Sequence, residues 1–409
     1  MPADALKCKE CSATYPLDAR YVCERCFGPL EIAYAAPRAD SAELKRRIQA
    51  GPHTLWRYAD FLPIEGAPRS ALPTGWTPLV RADRLAERLG LRELWIKNET
   101  ANPTHSFKDR VVSVALARSI ELGFETVACA STGNLANAVS AHAAAAGLPS
   151  YVFIPADLEQ EKVLATGAYG TNIVAVRGNY DAVNRLCTEV AGERPSWAFV
   201  NVNVRPYYAE GSKTLAYETA EQLGWELPDR VVAPIASGSL FTKVARGFQD
   251  FIDVGLLDGD VPVMCGAQAD GCSPVAQAFA AGTDVCRPVK PDTIAKSLAI
   301  GNPADGPYAV ELARATGGVV ESVSDDEIRA GVRLLAETTG IFTETAGGVT
   351  TAVLAKLAEA GAIDPGERVV AYITGDGLKT LDTVRDTFAV TEIAPSLAEF
   401  DAEFEAAVA

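Results

Sequence analysis

No run of apolar residues in the 409-residue chain approaches the ~20 that a membrane-spanning helix needs. The first residues, Met1-Pro2-Ala3-Asp4-Ala5-Leu6-Lys7-Cys8, lack the apolar core of a secretory signal, so the expected location is the cytoplasm. Positive charge is in short supply: 37 Lys and Arg face 53 Asp and Glu, a formal net charge of −16. That balance argues against a nucleic acid or an anionic membrane as partner, and any substrate phosphate must be met by local basic groups against the global field. No internal repeat occurs, and low complexity is confined to one Ala-rich stretch ending at Gly147. What is there, 48% hydrophobic and 22% charged residues, describes an ordinary globular protein long enough for two or three domains.

The nine cysteines divide into two sets. Cys129, Cys187, Cys265, Cys272 and Cys286 are scattered in apolar or helical surroundings and read as small hydrophobes. Cys8, Cys11, Cys23 and Cys26 form two C-x-x-C pairs, the second followed by Gly28-Pro29. Such pairs make metal-binding knuckles, and this spacing matches a four-thiolate zinc ribbon. Residues 1–35 then form a separate module too short to bury a sufficient core, in which a metal takes the place of the core. Zinc is the default metal of a structural site, iron is not excluded by spacing, and two redox pairs or a vestigial ribbon are the alternatives.

Residues 36–93 read as a covering segment laid across the main body. From Leu94 onward short β-branched runs alternate with amphipathic helices: 94–97, 126–130, 151–154, 172–176, 198–202, 230–234, 261–265 and 368–374 are predicted strands. This alternation predicts an α/β fold of two doubly wound lobes with parallel-rich sheets, a smaller lobe over 94–205 and a larger one over 206–390, with a C-terminal tail over 391–409. Open α/β sheets bind ligands beyond the carboxyl ends of strands, at helix N-termini, so the chemistry belongs in the strand-to-helix loops.

The run Asn102-Pro103-Thr104-His105-Ser106-Phe107-Lys108-Asp109-Arg110 precedes an apolar helix beginning near Val111. Asn102-Pro103 signals a turn, and Ser106 or Thr104 is available as a cap. Lys108 then lies on a first helical turn, where the macrodipole works against a protonated amine and favours imine formation with a carbonyl cofactor. Asp109 is expected to orient the helix start. His142, in the Ala-rich helix, reads as structural, and His105 is a neighbour of Lys108 without an assigned role. Three loops could complete a site. Ser131-Thr132-Gly133-Asn134 offers two hydroxyls and amides at a helix start, suited to a carboxylate, with Asn134 in reach of a cofactor ring substituent. Ala236-Ser237-Gly238-Ser239-Leu240 can wrap a phosphate with backbone amides, helped by Lys243, although it is neither a P-loop nor a dinucleotide fingerprint. Thr374, before Gly375-Asp376-Gly377, can place a hydroxyl on a pyridine nitrogen. Each loop alone is also an ordinary cap or turn. Together they supply an amine, a phosphate cradle, a pyridine partner and a carboxylate receptor, which describes a pyridoxal 5'-phosphate site.

These motifs, in this order over residues 75–385, resemble the threonine synthase family of the tryptophan-synthase-β-like (fold-type II) pyridoxal phosphate enzymes. The lysine motif matches with His105 in place of the family's usual Gly, and Cys129-Ala130-Ser131-Thr132-Gly133-Asn134 matches the family's asparagine loop. The resemblance implies a lyase of threonine biosynthesis acting on O-phospho-L-homoserine and water, with Lys108 as cofactor anchor and base. It implies Asn134 at the cofactor's 3-oxygen, Ser131 and Thr132 at the amino-acid carboxylate, and Thr374 at the ring nitrogen. Gly301-Asn302-Pro303 and Glu344-Thr345-Ala346 resemble segments lining the cofactor face, and a homodimer is expected. Two stretches depart from the family: the phosphate loop lacks its Gly-Asn-x-Gly-Asn pattern, and residues 201–213 differ from the commonest substrate-phosphate segment. Arg205 with Asn201 or Asn203 is the expected replacement, and Lys97 is either a second cation for that phosphate or a strand-end lysine reaching solvent. A cysteate synthase-like enzyme on another phospho-amino acid, a threonine or serine dehydratase, and a non-catalytic metal-ribbon binding protein remain as alternatives.

Overall fold

The computed structural model describes residues 1–36, 39–66, 72–131, 133–156, 160–178, 180–385 and 387–404. Its strands are β1 (Ala3–Cys8), β2 (Thr14–Tyr15), β3 (Leu30–Tyr34), β4 (Leu79–Arg81), β5 (Glu93–Asn98), β6 (Thr126–Ala130), β7 (Ser150–Pro155), β8 (Asn172–Val176), β9 (Trp197–Phe199), β10 (Arg230–Pro234), β11 (Val263–Ala269), β12 (Val320–Val323) and β13 (Arg368–Ile373). They build three sheets. A small antiparallel one, β2-β1-β3, carries the cysteine pairs. A six-stranded sheet, β12-β11-β10-β13-β5-β4, is parallel except at the edge strand β4. A four-stranded sheet, β8-β7-β6-β9, is parallel throughout. The central strands β6 and β10 are buried along their whole length, which is why they read as unbroken apolar runs rather than as alternations.

Two parallel lobes and a Cys-rich N-terminal module are therefore present, with one boundary moved. β5 does not open the smaller lobe. It pairs with β13 from Glu93↔Arg368 to Asn98↔Ile373 and so belongs to the larger sheet. The smaller sheet begins at β6.

The helix Lys108–Glu121 is buried from Asp109 to Ser119. A neighbouring helical turn approaches it so closely that a Cβ on Gly211 would lie 2.5 Å from the Arg110 carbonyl oxygen. Arg110 is fully buried. Its guanidinium donates to both Glu99 oxygens (2.6 and 2.8 Å) and both Glu218 oxygens (2.6 and 2.7 Å), with Thr77 and Thr214 closing the remaining donors. Lys97 corrects both of its sequence readings. Its side chain is 0% exposed, and its ammonium donates to Glu218 Oε2 (2.8 Å), the Thr77 carbonyl (2.7 Å) and Gln222 Oε1 (2.8 Å). It reaches neither solvent nor a substrate phosphate; it is the second cation of a buried four-charge cluster.

Burial by itself would raise the Glu218 carboxyl, but Arg110 and Lys97 outweigh it and hold the group down at about 2. A carboxyl depressed in the folded state contributes stability above its unfolded value of about 4.3, and that contribution is lost as pH falls through the folded value. Thermal unfolding measured from pH 5 to pH 2 should show a steep loss of stability, and Glu218→Gln should be destabilised at neutral pH with a flatter acid limb. Lys97→Met, which leaves a buried carboxylate short of a partner, should cost about 3–5 kcal/mol with substrate KM unchanged in the protein that folds.

Candidate active site

A cleft is walled by residues from both lobes. The carboxyl ends of β6, β10 and β13 supply Asn134, Ala236 to Leu240 and Thr374, and Lys108 enters from the helix start. The predicted amine, phosphate loop, asparagine and threonine thus converge on one space. The helix begins at Lys108 with Phe107 at its cap position and no regular side-chain cap; of the two expected caps, Thr104 does not serve and Ser106 makes only a long contact, its hydroxyl accepting from the Lys108 N–H at 3.4 Å. Instead Asp109 accepts from the Thr104 backbone N–H (2.8 Å) and hydroxyl (3.0 Å) and from His142 Nε2 (2.9 Å). Asp109 thus sits at the helix start in the orienting place read for it, and His142, buried on the Ala-rich helix, is structural as read. Lys108 Nζ lies 5.1 Å from the Phe107 ring centroid and 5.8 Å from that of Tyr208. Among the described residues it makes no salt bridge, which leaves the amine open to the cavity.

The phosphate loop has the local geometry the chemistry requires. Gly238 has φ +93° and precedes the helix Ser239–Asp253, which has no side-chain cap. A Cβ there would lie 2.6 Å from the Asp305 carbonyl oxygen, so the left-handed turn and the close approach both demand glycine. The first-turn amides, of which Ser239 N–H makes one long contact to Ser237 Oγ (3.4 Å), and the helix dipole make this loop suited to an anion. Lys243 does not assist them, since its ammonium is paired with Glu210 at 2.6 Å.

Asn134 is held on both sides. Its Nδ2 donates to the two Glu344 oxygens (3.0 Å each), and its Oδ1 accepts from Lys379 Nζ (2.7 Å), which also donates to the Thr104 carbonyl (2.5 Å). Burial raises the Glu344 carboxyl above its ordinary range, against the Asn134 hydrogen bond and the Lys379 charge. Burial lowers the Lys379 ammonium, against Glu344. The amide orientation follows: an oxygen bonded to an ammonium leaves only N–H to present elsewhere.

The expected substrate-phosphate set is not brought together. Asn203 holds its own turn, donating to the Trp197 carbonyl (3.0 Å) and accepting from the Phe199 N–H (2.8 Å), so it is structural. Asn201 donates to the Ala130 carbonyl at 3.4 Å, and its Oδ1 is buried without a partner. Arg205 donates to Asp305 Oδ2 (2.8 Å) and does not line the cavity. Ser131 is half-buried, and its hydroxyl accepts from the Gly133 N–H at 3.4 Å; Thr132 lies outside the described residues. Of the two further segments, Glu344 and Ala346 line the cavity, whereas 301–303 do not. Tyr208, Ser212, Ser297 and Leu298 on the wall were missed. Pro206 marks the first turn of the helix Arg205–Glu210 that carries Tyr208, but nothing local to the sequence shows which of its residues face the cavity.

Residues 71–375 match the family of pyridoxal-phosphate dependent enzymes. The chain belongs to that family. It is 38% identical to the threonine synthase of Methanocaldococcus jannaschii over 380 residues, spanning 92% of this chain and 93% of that one. It is also 38% identical to the threonine synthase of Methanosarcina acetivorans, over 93% of each chain. Among solved structures, maize serine racemase superposes with a TM-score of 0.64 at 20% identity, covering 87% of this chain and 97% of that one. The processed threonine deaminase isoform 2 of Solanum lycopersicum gives 0.64 at 22%, covering 88% and 97%; at these identities the likeness concerns the fold. His105 has φ +59°, a left-handed conformation that costs a non-glycine residue about 1 kcal/mol.

His105→Gly should therefore raise stability by up to about 1 kcal/mol and leave turnover nearly unchanged; a large drop in kcat would instead give the imidazole a part in the reaction. Lys108→Ala should abolish both turnover and the near-ultraviolet absorbance of protein-bound pyridoxal phosphate that borohydride fixes in the wild type.

Proposed function

We propose that the protein is a threonine synthase, converting O-phospho-L-homoserine and water to L-threonine and phosphate. The observation that carries this reading is the convergence of Lys108, Asn134, the Ser237–Gly238 turn and Thr374 on one cavity, in a chain collinear with threonine synthases over nearly its whole length. The residues present fit pyridoxal phosphate: an unpaired amine, an uncapped helix N-terminus behind a glycine that tolerates no Cβ, and a strand-end hydroxyl on the same wall. When bound, that cofactor takes up the negative charge that develops as the substrate loses protons. Lys108 would hold it and move protons at the substrate's α- and β-carbons, one amine acting as acid and base. Asn134 would donate to its 3-oxygen, the amides of Gly238 to Leu240 would hold its phosphate, and Thr374 would face its ring nitrogen. Ser131 and Thr132 remain the proposed carboxylate contacts. For the substrate phosphate, the Tyr208 and Ser212 hydroxyls on the wall take the place of Lys97 and Asn203. Arg205, one turn before Tyr208 on the same short helix, and Asn201 stay in the proposal as further phosphate contacts, although neither lines the cavity.

Zinc in the cysteine module belongs to the same reading. The four Sγ atoms lie within 4.8 Å of one another, with Cys8–Cys26 at 3.5 Å and Cys11–Cys23 at 3.6 Å. Tetrahedral zinc with ~2.3 Å bonds needs thiolates about 3.8 Å apart. Backbone N–H groups of Cys11 and Arg25 point at Cys8 and Cys23 sulfurs (3.5 and 3.4 Å), as expected around thiolates. A homodimer and a cytoplasmic location complete the proposal. Leu378 and Leu381, 71% and 56% exposed just beyond Thr374, are apolar groups a second subunit would cover. Among the described residues no helix is long and apolar enough to cross a membrane.

Product analysis with phosphohomoserine, phosphoserine and threonine supplied in turn separates the alternatives. Threonine and phosphate should appear from phosphohomoserine alone; sulfonate formation from phosphoserine and sulfite, or keto-acid release from threonine, would point to the other enzymes. Arg205→Ala should raise KM for phosphohomoserine, and unchanged kinetics would remove Arg205 from the phosphate pocket. Metal analysis should find one zinc per chain.

A further inference from the structure

The cysteine module is not an appendage lying apart from the chemistry. Lys9, inside the first C-x-x-C, places its ammonium 4.0 Å from Asp305 Oδ1 and 3.3 Å over the ring of Tyr308. The next residue, Glu10, accepts the Tyr308 hydroxyl. Asp305 in turn donates its backbone N–H to the Ser237 carbonyl (2.8 Å), and its own carbonyl lies against Gly238 at a distance that excludes a Cβ. Asp305 thus faces the metal knuckle across a 4.0 Å ion pair, with Arg205 donating to its other oxygen (2.8 Å), and meets the phosphate turn with its backbone. A second connection runs in parallel. Tyr34 on β3 donates to Glu210 (2.6 Å), which also accepts from Lys243, one turn into the helix that starts at the phosphate turn.

The knuckle's shape depends on its sulfurs. Cys8 and Cys23 are buried, and a Cβ on Gly28 would meet the Glu10 side chain at 2.7 Å and Cys8 Sγ at 3.1 Å. Lys9 donates its backbone N–H to the Pro29 carbonyl (3.0 Å), linking the two pairs. A module this small keeps that shape by ligating a metal rather than by its core. A change at the four sulfurs therefore moves Lys9 and Glu10, and the groups they clamp are those that set the position of Ser237 and Gly238.

We infer that the metal-loaded cysteine module is a strut for the cofactor-phosphate turn, with Lys9 and Asp305 as the positioning residues that couple the two. This rests on the proposed reading of the cavity and of the cysteine cluster. Its function is to hold the amides of the 236–240 loop in the spacing a phosphate requires, so that metal occupancy and cofactor retention rise and fall together.

The test measures dissociation constants for pyridoxal phosphate and for pyridoxal, by tryptophan fluorescence quenching on the full-length protein, with metal retained or stripped by a thiol-directed mercurial and chelator. Stripping should weaken pyridoxal phosphate binding on the order of fivefold or more and leave pyridoxal, which has no phosphate, within twofold. In Lys9→Met and Asp305→Asn, each checked for metal content, the metal-replete protein should already bind pyridoxal phosphate weakly, and stripping should add little. Equal weakening of both ligands would mean general loosening, and unchanged affinity would mean no strut; either result overturns the proposal. A protein that binds pyridoxal phosphate at Lys108 but holds no metal also overturns it while sparing the cavity reading, whereas failure to bind either aldehyde would overturn the cavity reading itself.

Discussion

The buried pairing of Arg110 with Glu99 and Glu218 is the constraint on which the site's geometry rests. Three consecutive residues at one helix start have three different destinations. Lys108 opens into the cavity, Asp109 turns to Thr104 and His142, and Arg110 enters the ionic cluster. An α-helix rotates its side chains by about 100° per residue, so locking the second and third residues fixes where the first must point. The cluster is neutral, two cations against two carboxylates, and every charge in it has several hydrogen bonds. Without that saturation four buried charges would be intolerable. With it, the cluster ties β5, the Lys108 helix and the helix Lys213–Gln222 to one another. The amine is rigid because its neighbours are.

Much of the architecture was legible from the sequence because parallel strands buried on both faces leave continuous apolar runs. β6, β10 and β13 were placed almost to the residue, and so were the loops that follow them. What could not be read is sheet neighbourhood. β5 pairs with β13 across more than half the chain, and nothing local to residues 93–98 announces that partner. Lys97 failed for the same reason: a lysine at a strand end looks solvated until Glu218 and Gln222, carried by a distant helix, are brought to it. Glu344 was read only as part of a segment lining the cofactor face and Lys379 was not singled out, since their clamp on Asn134 exists only after Thr104, Asn134, Glu344 and Lys379 meet. Asn203 failed differently. Its partners are four and six residues away, and a polar side chain closing its own turn was mistaken for one facing a ligand.

The departure at His105 and the departure in the phosphate loop have different weights once the backbone is known. His105 occupies a left-handed position with its ring exposed and its Nδ1 3.3 Å from the Thr100 carbonyl, so the substitution is a local strain that the turn absorbs. In the 236–240 loop the proposed binding groups are main-chain amides, so its side chains are free to differ. Only the glycine is not, since Asp305 occupies the space a Cβ would need.

The same logic explains how so acidic a chain can accept phosphates. The cations nearest the loop are already engaged: Lys243 with Glu210, Arg205 with Asp305, and Lys9 beside Asp305. Burial works against the Lys9 charge, with Asp305 opposing it. These lysines and arginines do not greet an anion as free charges; they hold carboxylates that shape the loop. What faces the cavity is an uncapped helix start, with Ser237, Ser239, Ser212 and Tyr208 nearby. Oriented amide dipoles and neutral hydroxyls bind a phosphate without carrying a net charge that must be neutralised when the anion leaves. For a site that would retain one phosphate and release another, that division is physically sensible: fixed dipoles would grip where the helix starts, and the Tyr208 and Ser212 hydroxyls lie on the wall from which a product would depart.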